Sequence, residues 1–164
     1  MGSEMCIRDR SESDLDLANK CSETLDSLSI TNSIQVLSAH RTPALLETHI
    51  RECEAGGTKV FIAMAGLAAH LAGAVASKTV LPVIGVPGDG GPLSGMDALL
   101  STVQMPKGIP VATVAIGSAG AINSAYLAAQ MLGIESESIR TSLSKVREDG
   151  VEAIKESNKK LASS

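Results

Sequence analysis

Aromatic residues are nearly missing from this chain of 164 residues: Phe61 and Tyr126 are the two it has, and tryptophan is absent. Its core must therefore be aliphatic, built from Ala, Val, Ile, Leu and Met. The same scarcity leaves no stacking platform for single-stranded nucleic acid. Positive charge is not in excess either, since a net charge of −4 offers no basic footprint for a duplex. No apolar run approaches the ~18 residues of a membrane span, and the N-terminus lacks the uninterrupted apolar stretch of a signal peptide. Cysteine is scarce: Cys6, Cys21 and Cys53 are odd in number and lack C-x-x-C spacing. That argues against a disulfide framework or a zinc site and fits a reducing cytoplasm. The expectations are thus no metal, no nucleic acid and no membrane. What is present, 44% hydrophobic and 20% charged residues, lies in the soluble globular range, and the length suits one domain with its own core.

Beyond residue 30 the chain alternates two kinds of segment. SIQVLS (33–38), KVFIAMA (59–65), PVIGVP (82–87) and PVATVAIG (110–117) are short, apolar and rich in β-branched residues. Strands buried on both faces have this composition. Between them lie helical signals. Thr42 can cap a helix with Pro43 at its first position. Leu45, Leu46, Ile50 and Cys53 follow at helical spacing, and Gly56-Gly57 ends the run. Residues 66–78 form a small-residue helix, 95–105 another, and 119–132 a third that ends at Gly133. Strands alternating with helices predict a three-layer αβα parallel sheet with helices on both faces.

The ends depart from this alternation. Residues 135–164 are charge-rich, with Ile139, Leu143, Val146 and Ile154 on one helical stripe, which predicts a C-terminal helix that either lies on the surface or packs on a neighbouring subunit through Ile139, Leu143 and Val146. At the other end Ser13 and Asp16 resemble a capping box ahead of a Leu17, Cys21, Leu25, Leu28 stripe. Before that helix a doubly wound fold needs an apolar strand, yet Arg8, Asp9 and Arg10 stand where it should finish. Burying one such charge unpaired costs several kcal/mol. Residues 1–10 are therefore expected to be disordered or non-native and unable to supply the central strand, leaving its position unfilled or filled by an improvised strand. The α/β domain proper is expected over 11–134.

Ligands of open parallel sheets bind beyond the carboxyl ends of the strands. Three segments bring polar or glycine-rich chemistry there: Ser11 to Asp14 at a helix start, Ser38-Ala39-His40-Arg41, and Ala65 to His70. The free N–H groups of a helix start suit an anion. Arg41 can hold a phosphate bidentately. His40 can exchange a proton near neutral pH, because an ordinary imidazole titrates at about 6.5. Plainer readings exist for each: His40 as a structural hydrogen-bonding residue, Arg41 as a surface ion-pair residue, Ser13 and Asp14 as cap residues, and His70 as a partner of nearby backbone. His49, on the 43–55 helix with no partner in view, reads as solvated. PGDGGPLSG (87–95) suits a turn or a loop closing over a ligand.

Taken together, SAHRTP (38–43), AGLAAHLAG (65–73), KTVLPVIGVP (78–87), LSGMDALLSTVQMPKGIPVATVAIG (93–117) and AGAINSAYLAAQML (119–132) closely resemble the N5-carboxyaminoimidazole ribonucleotide mutases of purine biosynthesis. That family is also known as the catalytic subunits of phosphoribosylaminoimidazole carboxylase. The resemblance covers about residues 11–145. It implies a flavodoxin-like fold, with the first strand here lost or corrupted, and a homo-oligomer, typically an octamer, with sites at subunit junctions. It implies no cofactor, a phosphorylated imidazole ribonucleotide as ligand, and cytoplasmic location. The family's phosphate loop G-S-x-S-D is matched by Ser11, Ser13 and Asp14, with Arg10 replacing the glycine. Ser38, Ala39, His40 and Arg41 match S-A-H-R in full, with His40 implied as the acid–base residue. Ala65, Gly66, Ala69, His70 and Leu71 match A-G-x-x-A-H-L, followed by Ala72 where many members have proline. The implied reaction moves a carboxylate from N5 to C4 of the ribonucleotide. Two alternatives stand beside it: direct carboxylation of aminoimidazole ribonucleotide with free CO2, whose class tends to have Lys at position 41, and a non-catalytic ligand-binding or assembly subunit.

Overall fold

The computed structural model describes residues 3–8 and 12–163, with residues 3–8 and 12–14 described by their backbone path. Strand β1 (Ser3–Arg8) is followed by helix α1 (Glu12–Ser27), β2 (Asn32–Val36), α2 (Pro43–Ala55), β3 (Thr58–Ala65) and α3 (Leu71–Ala76). Then come β4 (Val83–Pro87), α4 (Met96–Val103), β5 (Ala112–Thr113), α5 (Gly117–Gly133) and α6 (Glu137–Ala162). The strands form one parallel sheet in the order β2-β1-β3-β4-β5. This is the flavodoxin-like order, which places a crevice where the winding direction reverses beside β1.

The expectation that residues 1–10 cannot supply a central buried strand is corrected: of the two outcomes foreseen, a vacancy or an improvised strand, a strand is present. Ser3–Arg8 lies between β2 and β3, with Cys6 opposite both Ile34 and Ile62. Two considerations account for this. A parallel ladder is made by backbone groups, and leaving two facing strands without a middle partner would orphan a row of N–H and C=O groups. The charged residues also keep to the two ends: Met5, Cys6 and Ile7 occupy the middle of the strand, with Glu4 before them and Arg8 as its last residue, in register with Val36 and Met64. Residues 1, 2 and 9–11 lie outside the described residues.

Side chains alternate across each strand, and β3 shows the result. Phe61, Ala63 and Ala65 join Leu46, Ile50, Leu71 and Val75 in one buried cluster beneath α2 and α3. Val60, Ile62 and Met64 join Leu17, Cys21, Leu25, Ala121, Ala125 and Ala128 beneath α1 and α5 on the other face. Because α5 offers mainly alanine there, it sits close to the sheet. Gly120 is needed where α5 starts, since a β-carbon added at it would stand 1.7 Å from the Ala115 carbonyl oxygen in the loop leading into the helix.

Several boundaries differ from expectation. The helix foreseen over 66–78 is confined to Leu71–Ala76. Leu67 has φ 54°, which no helix can contain, so residues 66–70 form a turn. The strand foreseen over 110–117 shrinks to Ala112–Thr113, because Pro110 has no N–H to give and α5 already starts at Gly117. Helix α1 starts at Glu12, ahead of the foreseen Ser13 cap. Ile139 and Leu143 of α6 are partly buried against the second cluster of their own chain. Val146, Val151, Ile154 and Leu161 of α6 are exposed.

Candidate active site

The peptide after β2 makes one tight loop before α2, and Ser38 and Thr42 hold it reciprocally. The Ser38 N–H donates to Thr42 Oγ1 at 3.0 Å, while the Thr42 N–H and hydroxyl donate to the Ser38 carbonyl at 3.0 and 3.1 Å. The buried Ser38 hydroxyl accepts from the Arg41 N–H at 3.4 Å. Thr42 stands at the N-cap with Pro43 following, as expected, but its hydroxyl serves Ser38 and makes no cap bond to the helix. This closed loop turns His40 and Arg41 outward at the carboxyl end of β2.

A second turn brings His70 to the same place. β3 ends at Ala65, the chain turns through Gly66–Ala69, and the His70 N–H donates to the Ala68 carbonyl at 2.8 Å. His40 Nε2 and His70 Nδ1 then lie 2.8 Å apart, with ring centroids at 5.0 Å and planes inclined by 72°. This near-perpendicular approach lets the ring nitrogens meet nearly in the plane of one imidazole. One nitrogen must donate and the other accept, so the bond forms when the pair is neutral or carries one positive charge, and breaks when both rings are protonated. The geometry thus allows one proton to be shared between the two rings. The Arg41 guanidinium beside it is exposed and makes no hydrogen bond or ion pair among the described residues, leaving its planar fork free for an anion.

The other residues foreseen for the site divide in three. The side chains of Ala65, Ala69 and Leu71 are buried at 4%, 2% and 1% exposure in the first core cluster. Anything these residues offer a ligand comes from their backbone, and Ala39 packs on the same cluster. Gly66 lies in the turn ahead of His70. Ser13 and Asp14 lie in the first turn of α1, and Ser11 falls outside the described residues. His49, foreseen as solvated, is half-buried with Nε2 3.6 Å from Cys53 Sγ. Burial pushes its imidazole below the ordinary pKa, an effect partly offset by Glu52. Burial likewise pushes the Cys53 thiol up, reinforced by Glu52 and Glu54, so it is poorly suited to act as a nucleophile.

Two features of this edge had no signal in the residue pattern. The Asp89 carboxylate lies against Gly117 at the start of α5, so close that an added β-carbon there would stand 2.8 Å from Oδ2, where a negative charge suits the helix dipole. Lys20 Nζ reaches Asp16 Oδ2 at 2.6 Å and Ser118 Oγ at 2.7 Å, joining α1 to the same helix start. The Asp89–Gly117 and Lys20–Ser118 contacts join residues distant in sequence. A cavity of about 500 Å3 lies elsewhere. It lies at the opposite edge of the sheet, between Val80–Val83 and Gly108–Ala112, and no charged side chain lines it.

Comparison with known proteins gives this edge its context. Residues 5–153 match the family described as AIR carboxylase. The N5-carboxyaminoimidazole ribonucleotide mutase of Pseudomonas aeruginosa is 48% identical over 144 residues, covering 88% of this chain and 88% of that protein. The protein of that name from Bacillus subtilis is 46% identical over 151 residues, covering 92% and 93%. A crystal structure of Treponema denticola PurE superposes with a TM-score of 0.87 at 29% identity, covering 97% of this chain and 98% of that one. A histidine pair and a free arginine beyond a 2-1-3-4-5 sheet, on a sequence this close to the mutases over nearly its whole length, place the chain in the AIR carboxylase family.

Proposed function

We infer that this chain is an N5-carboxyaminoimidazole ribonucleotide mutase of purine biosynthesis, moving a carboxylate from N5 to C4 of its substrate. The observation that carries the reading is the His40–His70 pair at 2.8 Å beside an uncommitted Arg41. Arg41 holds the anionic ribonucleotide. With the pair singly charged, His40 gives a proton to N5; the N5–carboxylate bond breaks, its electrons staying on N5, to release CO2 and aminoimidazole ribonucleotide. C4 then attacks that CO2, forming the new carbon–carbon bond. The C4 proton passes to neutral His40, which restores the ring and the charged pair, so proton and carboxylate both balance. Acid–base help of this kind contributes about 10²–10⁴-fold, and keeping CO2 beside C4 adds proximity. Ser11, Ser13 and Asp14 are assigned to the 5′-phosphate end at the start of α1.

The chain works as a homo-oligomer, an octamer in this reading. Support comes from exposed Leu93, Met96, Leu100 and Val103 around α4 and from Val151, Ile154 and Leu161 on α6, apolar surface that a lone subunit leaves in water. The deciding experiment gives the purified chain N5-carboxyaminoimidazole ribonucleotide without ATP or bicarbonate, with labelled CO2 in the medium. Conversion with slow uptake of label is expected. Rapid stoichiometric uptake from the medium would instead make it a direct carboxylase, and no conversion with ligand bound would make it a binding subunit.

A further inference from the structure

Leu67 is a branched residue held at φ 54°, in the left-handed region where a β-carbon crowds the neighbouring carbonyl. Side chains of this kind stay there when the surroundings force them, and such positions gather at functional sites. Leu67 lies in the turn that presents His70 to His40. Burial in the core does not account for it, since Leu67 is 55% exposed. Its side chain rests instead on Gly91 in the loop between β4 and α4, where an added β-carbon would stand 2.5 Å from Leu67 Cδ2. That loop is joined to the same strand end at its root, where the Gly88 N–H donates to the Ala65 carbonyl at 2.8 Å. The strained residue thus bridges two segments that meet at the histidine edge.

We propose that Leu67 is a positioning residue for the reaction, coupling the 88–95 loop to the His70 turn so that the closed loop holds the His40–His70 pair in register and retains the released CO2. This rests on the mutase reading above. The bridge is apolar, which suits the purpose: CO2 is small and uncharged, so it is kept by a seal that excludes water rather than by a hydrogen bond.

Three variants test the coupling: Leu67→Gly, which relaxes the backbone and removes the bridge; Leu67→Asn, which tolerates the left-handed conformation but is polar; and Leu67→Met, which restores an apolar bridge. In the Gly and Asn variants kcat is expected to fall about 10- to 100-fold, as for small misplacements of reacting groups, with KM little changed. Incorporation of labelled CO2 from the medium should rise, and Met should restore both. A Gly variant that turns over and retains CO2 like the parent overturns the proposal; should it fail to fold, the Asn variant decides in the same way. If the parent itself converts nothing, the mutase reading fails. The coupling is then judged by imidazole 15N spectra, which should lose the His40–His70 hydrogen-bond signature in Leu67→Gly and keep it in Leu67→Met. Spectra unchanged by Leu67→Gly overturn the coupling on their own.

Discussion

If His40 and His70 store one proton between them, removing either should slow the same step, and removing both should cost little more than removing His40. His40→Asn takes away the proton-transferring group, and a loss of about 10²–10⁴-fold in kcat is expected. His70→Phe keeps a ring of similar shape but removes the nitrogen 2.8 Å from His40 Nε2. Both rings are exposed, so water can satisfy the nitrogen left behind, and the loss is that of one neutral hydrogen bond, about 0.5–1.5 kcal/mol. By transition-state arithmetic this corresponds to about 2- to 10-fold in kcat. In the double variant the His70 change has no partner to act through, so kcat should match His40→Asn within about 2-fold. The assay is single-turnover conversion of N5-carboxyaminoimidazole ribonucleotide by the four proteins, with ligand binding measured separately. Independent, multiplying losses in the double variant would refute a shared proton store, as would a His70→Phe protein indistinguishable from the parent.

Arg41→Gln should raise KM for the ribonucleotide about 10- to 100-fold, the worth of hydrogen bonds to a charged group, with a smaller change in kcat seen in steady-state kinetics. Gly120→Ala places a β-carbon 1.7 Å from the Ala115 carbonyl oxygen; the start of α5 must shift away from the loop before it, and denaturant titration should show a loss of about 3 kcal/mol, the upper range for overpacking. Burial lowers the pKa of His49, so its contribution to stability is complete above the ordinary imidazole value of about 6.5 and is lost as pH falls below it toward the depressed folded value. The Tm should therefore drop between pH 7.5 and 5.5, and His49→Gln should flatten that drop. Charging the exposed stripe with Val151→Asp and Ile154→Asp should reduce the sedimentation coefficient while leaving the α6–α5 contacts of Ile139 and Leu143 intact.

Periodicity and composition alone determined much of this protein. Helix α2 begins at Pro43 and ends before Gly56 as its local chemistry dictates, since proline suits a first helical position and two glycines end a helix. The apolar runs at 60–65 and 83–87 are strands because every residue in them is buried from water on both faces. The placement of His40 and Arg41 just beyond a strand end was readable from the sequence. Tertiary structure decided the rest, because the determining contacts join residues distant in sequence. Ser3–Arg8 is a strand through its two neighbours' need for backbone partners, which outweighs the unfavourable charges at its end. The turn at 66–70 stays out of α3 because Leu67 is held left-handed against Gly91, a contact no local pattern announces. Ile139 and Leu143 face their own α5 for the same kind of reason. The pairing of His40 with His70 depends on two loops from non-adjacent strands ending at one height above the sheet. Helix and strand periods record which face of a segment is dry, whereas the meeting of two imidazoles at 2.8 Å is set by strand order and register, quantities that no single segment contains.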